Sequence, residues 1–112
     1  MKISVGNDIV NITRFRNKIM KNKKILENIL LSSEMKNKEV KHLAGLFAAK
    51  EAITKALNLK VGKWLDIEIL HDKYGKPKVN LSPDLSKKIL DYSLSITHDG
   101  EYALATVVVL LK

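Results

Sequence analysis

The fold is decided by residues 43–56, which read LAGLFAAKEAITKA. Apolar side chains recur there every three or four positions, which places one apolar stripe along an α-helix. Alanines fill much of the remaining surface, and alanine both favours a helix and lets another backbone come close. The pattern extends outward to about Glu39 and Leu59, so we predict one long, closely packed helix. Its stripe consists of Leu43, Leu46, Phe47, Ile53 and Leu57.

A strand is predicted before this helix, at the N-terminus. Ile3 and Val5 alternate with polar residues, which indicates a strand that ends near Asp8. A glycine inside a strand marks a bulge or the close approach of another backbone, and Gly6 occupies that position.

Two shorter helical segments fill the region between this strand and the long helix. The apolar spacing predicts them at about residues 12–20 and 25–30, with Asn11 or Thr13 as the N-cap of the first. Residues 34–42 are polar and basic, and we predict a short helix or a loop there.

The second half of the chain has mainly the pattern of strands. Alternation of apolar and polar residues predicts the strands, and turn-forming residues separate them. This order favours an α+β fold with a small, mostly antiparallel sheet packed on one long helix plus short helices. The predicted elements are strands at 64–70, 78–81, 92–97 and 102–111, a turn at 72–77 and a helix from 83 to about 90.

Length and composition exclude several classes of protein. A chain of 112 residues fits a single domain, 1–112. It has no cysteine, which excludes disulfide frameworks, cysteine-based zinc sites and thiol nucleophiles. Its longest apolar run, Tyr102–Leu111, is too short to cross a bilayer as a helix. Asp8 falls where a signal peptide needs apolar residues, so we expect a cytoplasmic protein that does not enter a membrane.

The charge balance points to an acidic partner without identifying it. Lys and Arg number 20 against 12 Asp and Glu, a formal charge of +8. Nucleic acid, a membrane surface, an acidic protein and a phosphorylated small molecule all fit this charge, as does a merely solvated lysine-rich surface. Aromatic residues make up 5% of the chain, which argues against a protein that stacks single-stranded bases.

Three acidic and basic residues are the first candidates for chemistry. Glu51 and Lys55 are four apart, so they share a face of the long helix, where they form either a site or an ordinary surface ion pair. Glu51 lies at the margin of the apolar stripe, where a partly desolvated carboxylate suits a metal ligand or a base. Asp8 is a second candidate ligand, because Mg²⁺ needs only one or two carboxylates. The simpler alternative for Asp8 is a cap of the following helix.

A histidine and a glycine-containing turn are further candidates. His98 lies within Ser95–Gly100, between a strand and a turn, where it can bind a phosphate, shuttle a proton or simply bond the backbone. His42 and His71 have no such company and are interpreted as surface residues. Gly75–Pro77 is a tight turn and a place where a ligand can approach the backbone.

Five short segments then complete a recognisable series. Together they resemble the holo-acyl-carrier-protein synthase family of phosphopantetheinyl transferases, over nearly the whole chain and in that family's order and spacing. The segments are Gly6–Val10, Phe47–Ala56, Trp64–Ile69, Gly75–Pro77 and Ser95–Asp99.

The resemblance implies an activity and its main residues. The enzyme would move the 4′-phosphopantetheine arm of coenzyme A to a serine of apo-acyl carrier protein, for fatty acid biosynthesis. Asp8 and Glu51 would hold Mg²⁺ with the coenzyme A pyrophosphate. Glu51 would accept the serine proton, directly or through water. Lys55 would stabilise the departing adenosine 3′,5′-bisphosphate.

The resemblance also implies the binding residues and the assembly. His98 would contact the nucleotide end of coenzyme A, and Gly75, Lys76 and Pro77 would lie near the adenine. Arg14 matches a position that contacts the carrier protein, and family members are usually trimers with sites between subunits. Steering of the acidic carrier is also expected from the basic residues near Arg14. They are Arg16, Lys18, Lys21, Lys23 and Lys24.

The chain departs from the family pattern at two positions. Many members have an arginine where this chain has Leu46, so we expect one contact to be lost or supplied by a lysine such as Lys36 or Lys41. Asn7 replaces a usually apolar residue, so the first strand is expected to pack differently.

Two other functions compete with the transferase. A basic nucleic-acid-binding module would need base-reading or stacking residues beside the lysines, and few are present. A catalytically inert relative that only binds a carrier protein is the other, and the presence of Asp8, Glu51 and Lys55 argues against it.

Overall fold

The computed structural model describes all 112 residues, Met1–Lys112, and shows an α+β fold with antiparallel sheets. Two short 3-10 turns, Ser32–Met35 and Trp64–Asp66, join some of the elements. The helices are α1 (Ile12–Lys21), α2 (Lys24–Ile29), α3 (Val40–Ala56) and α4 (Pro83–Ser86). The strands are β1 (Lys2–Asn11), β2 (Ile67–His71), β3 (Pro77–Leu81), β4 (Ile89–Asp99) and β5 (Tyr102–Leu111).

The strands form two separate antiparallel sheets. β5 lies at the centre of a three-stranded sheet between β1 and β4, and β2 pairs with β3 in a second sheet. β4 and β5 make the hairpin that the sequence predicts. Alternate residues of β5 face α3 and are fully buried, and together with the apolar and alanine positions of α3 they form the centre of the core. These β5 residues are Ala103, Ala105, Val107 and Val109.

Gly6 allows β1 to lie directly against α3. A Cβ atom at Gly6 would come within 1.8 Å of the Ala52 carbonyl oxygen, so no larger residue fits. Ser4 strengthens this contact, since its hydroxyl donates to the Ala56 carbonyl oxygen at 2.6 Å. The close approach predicted at Gly6 is therefore confirmed, and it brings the following part of β1, including Asp8, beside the C-terminal half of α3.

β1 is longer than the sequence predicts. The strand does not end near Asp8 but pairs with β5 as far as Asn11, which lies opposite Tyr102. Asn11 then begins α1, because its side-chain oxygen accepts from the Arg14 N–H at 3.0 Å. Asn11 is thus the N-cap, as one of the two predicted candidates, and the alternative that Asp8 caps the helix is wrong.

Three other predicted boundaries are corrected. α3 ends at Ala56 rather than near Leu59, and Asn58 follows with a φ of 53°. The predicted strand at 64–70 begins only at Ile67, because the preceding residues form a 3-10 turn. The predicted helix at 83–90 ends at Ser86, because the chain turns into β4 at Ile89.

A buried ion pair fastens the connecting segments to α3. Lys50 Nζ lies 2.5 Å from Glu34 Oε1, and neither side chain is exposed. The other Lys50 donors bond the carbonyl oxygens of Ile29 (2.8 Å) and Trp64 (3.0 Å). Glu34 Oε2 accepts from the Ile69 N–H at 2.7 Å, so one pair joins α2, a 3-10 turn and β2 to the long helix.

None of the four helices is both long and apolar enough to cross a lipid bilayer.

Candidate active site

The predicted metal ligands Asp8 and Glu51 line one cleft of about 370 Å³. β1 supplies Asp8, α3 supplies Glu51, and the first turns of α1 form the opposite wall. The Gly6 contact with α3 is what brings the two acids together, since they are 43 positions apart in the chain. No group of three or more His, Asp or Glu side chains in the chain could hold a metal ion by itself. The cleft therefore suits a hard cation that takes most of its ligands from water and phosphate.

Lys55 bridges α3 and β1 at the cleft mouth. Its Nζ donates to Asp8 Oδ1 at 3.1 Å and to the Asn7 carbonyl oxygen at 2.9 Å. The Lys55 side chain is 56% exposed and that of Asp8 is 19% exposed. The ordinary surface pair of Glu51 with Lys55 is not formed. Lys55 instead places one positive charge beside Asp8, where a phosphate can reach it from solvent.

Glu51 is half-buried against an aromatic wall. Its Oε1 accepts from the indole N–H of Trp64 at 3.2 Å. The Trp64 and Phe47 rings lie 6.2 Å apart in a tilted arrangement, and Phe47 stacks on Phe15 at 5.7 Å. The predicted position of Glu51, at the margin of the apolar stripe, matches this half-buried environment.

A second cavity, of about 160 Å³, contains other predicted site residues. His98, Gly75 and Pro77 line it together, although they come from different elements. His98 Nε2 lies 3.0 Å from the Lys41 carbonyl oxygen, to which it donates in the tautomer protonated at Nε2. Lys76 is not in the lining, and its exposed side chain extends from the turn.

The turn at residues 72–77 is built as the sequence predicts. Asp72 Oδ1 accepts from the backbone N–H groups of Tyr74 (2.8 Å) and Lys76 (2.9 Å). Gly75 has a φ of 82°, which a glycine adopts without strain. This turn presents the backbone of Gly75 and Pro77 to the second cavity.

His42 and His71 also line the second cavity beside His98, so the prediction that they have no such company is wrong, although His71 is exposed as predicted and His42 is half-buried. Their rings lie 5.4 Å apart. Burial lowers the pKa of His42 below its usual value, and the neighbouring His71 and His98 lower it further, whereas Glu39 opposes the shift. Sequence reasoning missed this trio because its members are 29 and 27 positions apart.

Gly45 and Leu46 complete the second cavity. A Cβ atom at Gly45 would come within 2.8 Å of His98 Nε2, so the glycine makes room for the imidazole. Leu46 is buried, with 1% of its surface exposed, and adds no charge. Neither of the predicted replacements, Lys36 and Lys41, places a side chain in this cavity. Lys41 contacts His98 only through its backbone carbonyl oxygen.

The two cavities lie on opposite faces of α3. They share no lining residue. Glu51 follows His42 by nine positions, which is about 180° around a helix and about 14 Å along it. Within a single chain, α3 therefore lies between the predicted metal ligands and the predicted nucleotide-binding residues.

Basic residues of α1 lie along one wall of the first cleft. Arg14 and Lys18 of α1 line it directly. Arg14, the predicted carrier contact, is exposed, as is the rest of the basic cluster. Its remaining members are Arg16, Lys21, Lys23 and Lys24.

Sequence reasoning missed the roles of Lys50, Glu34 and the Trp64 indole. One signal was present for Lys50, which follows Leu46 by four positions and precedes Ile53 by three, so a lysine occupies the apolar stripe. A buried lysine needs a partner. The partner itself, Glu34, lies in a polar segment that gives no sign of burial.

Comparisons with known proteins agree in family and fold. A protein-family model described as the 4′-phosphopantetheinyl transferase superfamily matches residues 4–107. A holo-(acyl-carrier-protein) synthase of Campylobacter fetus is 46% identical, over 94% of this chain and 97% of that protein. A holo-(acyl-carrier-protein) synthase of Finegoldia magna is 40% identical, over 100% of this chain and 99% of that protein. The crystal structure of the Helicobacter pylori holo-(acyl-carrier-protein) synthase in complex with coenzyme A superposes with a TM-score of 0.87 and 38% identity, over 95% of this chain and 99% of that one.

Proposed function

The chain belongs to the 4′-phosphopantetheinyl transferase superfamily, and we propose that it transfers the 4′-phosphopantetheine group of coenzyme A to a serine of apo-acyl carrier protein. The products are holo-acyl carrier protein and adenosine 3′,5′-bisphosphate. The observation that carries the proposal is the cleft in which Asp8 and Glu51 meet beside Lys55. Residues 1–112 act as one transferase domain in the cytoplasm, and the holo-acyl carrier protein that it makes is used in fatty acid biosynthesis.

The cleft fits a magnesium ion. Its donors are carboxylate oxygens, and Mg²⁺ is commonly bound by one or two carboxylates together with water and substrate phosphates. Asp8 and Glu51 would hold the ion. When bound, it would neutralise charge on the pyrophosphate of coenzyme A.

The chain's own residues account for the remaining chemistry. The serine oxygen attacks the phosphorus that carries the pantetheine arm, and the bond from this phosphorus to the bridging oxygen breaks. Glu51 accepts the serine proton, directly or through a water molecule. Lys55 stabilises the negative charge on the departing bisphosphate, since its exposed ammonium group lies at the cleft mouth. The apolar wall of Phe47 and Trp64 limits access of bulk water.

Coenzyme A is bound between two subunits. His98, Gly75, Lys76 and Pro77 bind its nucleotide end, but their cavity lies on the face of α3 opposite to Glu51. A second copy of the chain that presents its nucleotide cavity to the first copy's cleft removes this separation. The proposal that neighbouring subunits share each site rests on this arrangement.

We propose that the subunits of a homotrimer contact one another through the outer face of the three-stranded sheet. Cross-strand pairs Ile3–Leu110 and Val5–Val108 form an apolar strip on it. Ile3 is 72% and Val5 63% exposed in the single chain, whereas the solvated face of an antiparallel sheet usually carries polar side chains. An exposed apolar patch of this kind marks an interaction surface. Asn7 and Thr106, the next cross-strand pair on this face, add one hydrogen bond at 3.4 Å.

Arg14 docks the carrier protein. It lies on the wall of the cleft, so an acidic partner attracted to it brings its serine close to Asp8 and Glu51. The exposed lysines of α1 extend the same positive field. Nothing in this arrangement calls for nucleic acid.

A mass-shift assay tests the proposed function. Purified protein, Mg²⁺, coenzyme A and an apo-acyl carrier protein are expected to give a carrier heavier by one phosphopantetheine arm. Glu51→Gln is expected to reduce transfer by about a thousandfold while the protein stays folded. Glu27→Gln, an exposed glutamate of α2 outside the cleft, is the matched control and is expected to transfer normally. If several different apo-carrier proteins all stay unmodified, the proposed activity is ruled out.

A further inference from the structure

Trp64 is held at both ends by consecutive residues of α3. Its indole N–H donates to Glu51 Oε1 at 3.2 Å, and its carbonyl oxygen accepts from Lys50 Nζ at 3.0 Å. The same carbonyl oxygen accepts from the Ile67 N–H at the end of the 3-10 turn. The half-buried ring packs near Phe47. The indole N–H thus has a defined position relative to the helix that carries Glu51.

The buried ion pair makes this position a property of the fold. Lys50 uses all three of its donors, on Glu34, Ile29 and Trp64. Glu34 in turn holds the backbone of β2 at Ile69. The backbone of Trp64 cannot shift unless Lys50, whose side chain is fully buried, gives up a hydrogen bond, which carries a large penalty for a charged group.

We propose that Trp64 is a positioning residue for Glu51: its indole N–H holds one carboxylate oxygen, so that the other is presented to the divalent ion in the cleft. This inference rests on the proposed function, which places the ion between Asp8 and Glu51. Glu51 Oε1 is occupied by the indole, whereas Oε2 makes no hydrogen bond within the chain. A glutamate side chain has several rotatable bonds, and the hydrogen bond removes that freedom before the ion arrives. Outer-shell donors of this type typically change metal affinity or activity by about 10–100-fold.

The hydrogen bond is tested without metal or substrate. The chain has one tryptophan, so a ¹⁵N-labelled sample gives a single indole N–H signal in its NMR spectrum. Glu51→Ala is expected to move this signal to the position of a water-bonded indole. Asp8→Asn, which alters the cleft but not the bond, is expected to leave it in place. An unchanged signal in Glu51→Ala overturns the proposal.

The positioning role is tested by metal binding rather than by transfer. Calorimetric titration of Mg²⁺ into protein saturated with coenzyme A is expected to show about tenfold weaker binding for Trp64→Phe than for the unmodified chain. Phenylalanine keeps an aromatic ring at this position and loses only the donor. Thermal unfolding of Trp64→Phe is expected to stay cooperative, with coenzyme A affinity in the absence of metal unchanged. Equal Mg²⁺ affinity in the two proteins overturns the proposal.

These two tests separate the inference from the proposed function. Failure to modify any carrier protein removes the transferase activity, and the indole signal and the Mg²⁺ titration still decide the role of Trp64. Normal transfer by the unmodified chain together with equal Mg²⁺ affinities removes the role of Trp64 alone.

Discussion

The long helix α3 carries two ion pairs of the same chemistry in opposite environments. Lys50 pairs with Glu34 in the core, where neither side chain is exposed. Lys55, five residues later, pairs with Asp8 at the cleft mouth, where the lysine is 56% and the aspartate 19% exposed. The first pair can change partners only by breaking the core, whereas Lys55 can exchange Asp8 for a phosphate or yield it to a metal ion.

The environment therefore decides what each pair does. Burial lowers the pKa of Lys50, and the hydrogen bond and charge of Glu34 oppose that shift. A buried pair of this kind fixes an arrangement rather than adding much stability, since desolvation offsets most of the attraction. The exposed pair is screened by water and contributes little to folding. Its value lies in the two charges that it keeps beside Glu51.

The largest expected effect follows from breaking the buried pair. Lys50→Met leaves the Glu34 carboxylate buried without its partner, so we expect a loss of about 3–5 kcal/mol in the free energy of unfolding. Urea denaturation measures this loss. The double variant Lys50→Met with Glu34→Leu is expected to recover only part of it, because no unpaired charge remains but the buried Ile69 N–H and Ile29 carbonyl groups lose their partners. A loss below about 1 kcal/mol in Lys50→Met would show that the buried pair contributes no more to stability than an exposed pair, and would contradict this interpretation.

The same substitution at the second lysine is the matched comparison. Lys55→Met is expected to change the free energy of unfolding by less than about 1 kcal/mol, because the lysine of this pair is 56% exposed and water screens the interaction. It is expected to lower the transfer rate by about a hundredfold, since the departing bisphosphate loses its cation. Urea denaturation and the mass-shift assay give the two values. A variant that transfers normally would remove Lys55 from the reaction.

Charge reversal at Arg14 tests whether the open cleft also steers the carrier. Arg14→Glu is expected to raise the KM for the carrier about tenfold, to leave the KM for coenzyme A nearly unchanged, and to weaken the salt dependence of the reaction. Lys60→Glu, an exposed lysine that follows α3 and lines neither cavity, is the control of equal charge change. Equal rises in both KM values for Arg14→Glu would speak against carrier docking there.

The smallest expected effect concerns the histidine-lined cavity. The pKa of His42 is lowered in the folded chain. Below about pH 6.5 the unfolded chain therefore binds the proton more readily than the folded chain, and the free energy of unfolding decreases as the pH decreases. Above that pH both states are neutral at His42 and the effect vanishes. His42→Asn is therefore expected to lose less stability than the unmodified chain between about pH 7.5 and about pH 5.5, measured by thermal unfolding. Equal losses would exclude His42 as the titrating group.

The sequence predicts elements whose signal is local. The spacing in residues 43–56 predicts α3, and the turn chemistry of residues 72–77 predicts the β2–β3 turn. Gly6 correctly signals a backbone contact. Errors fall where a distant partner decides the boundary. β1 continues past Asp8 because β5 pairs with it. Ile89 belongs to β4 because it pairs with Leu111. The register is irregular between Ile89 and Asp91, so the apolar and polar residues do not alternate regularly there.

The candidate site is predictable in its residues and not in its supports. Asp8, Glu51 and Lys55 follow from the family resemblance and from their positions on predicted elements, and the structure brings all three together. The Glu34–Lys50 pair and the Trp64 bond to Glu51 depend on the path of the chain between α2 and β2. No local pattern encodes that path.

The proposed reaction depends most directly on one cation held by Asp8 and Glu51. Crystals of the protein grown with coenzyme A and Mn²⁺, a substitute for Mg²⁺ that also prefers oxygen ligands, allow the ion to be located by anomalous scattering. We expect one strong peak within about 2.2 Å of an Asp8 oxygen and a Glu51 oxygen of the same subunit, next to the pyrophosphate. A peak that contacts neither carboxylate, or bound coenzyme A with no peak in the cleft, would contradict it.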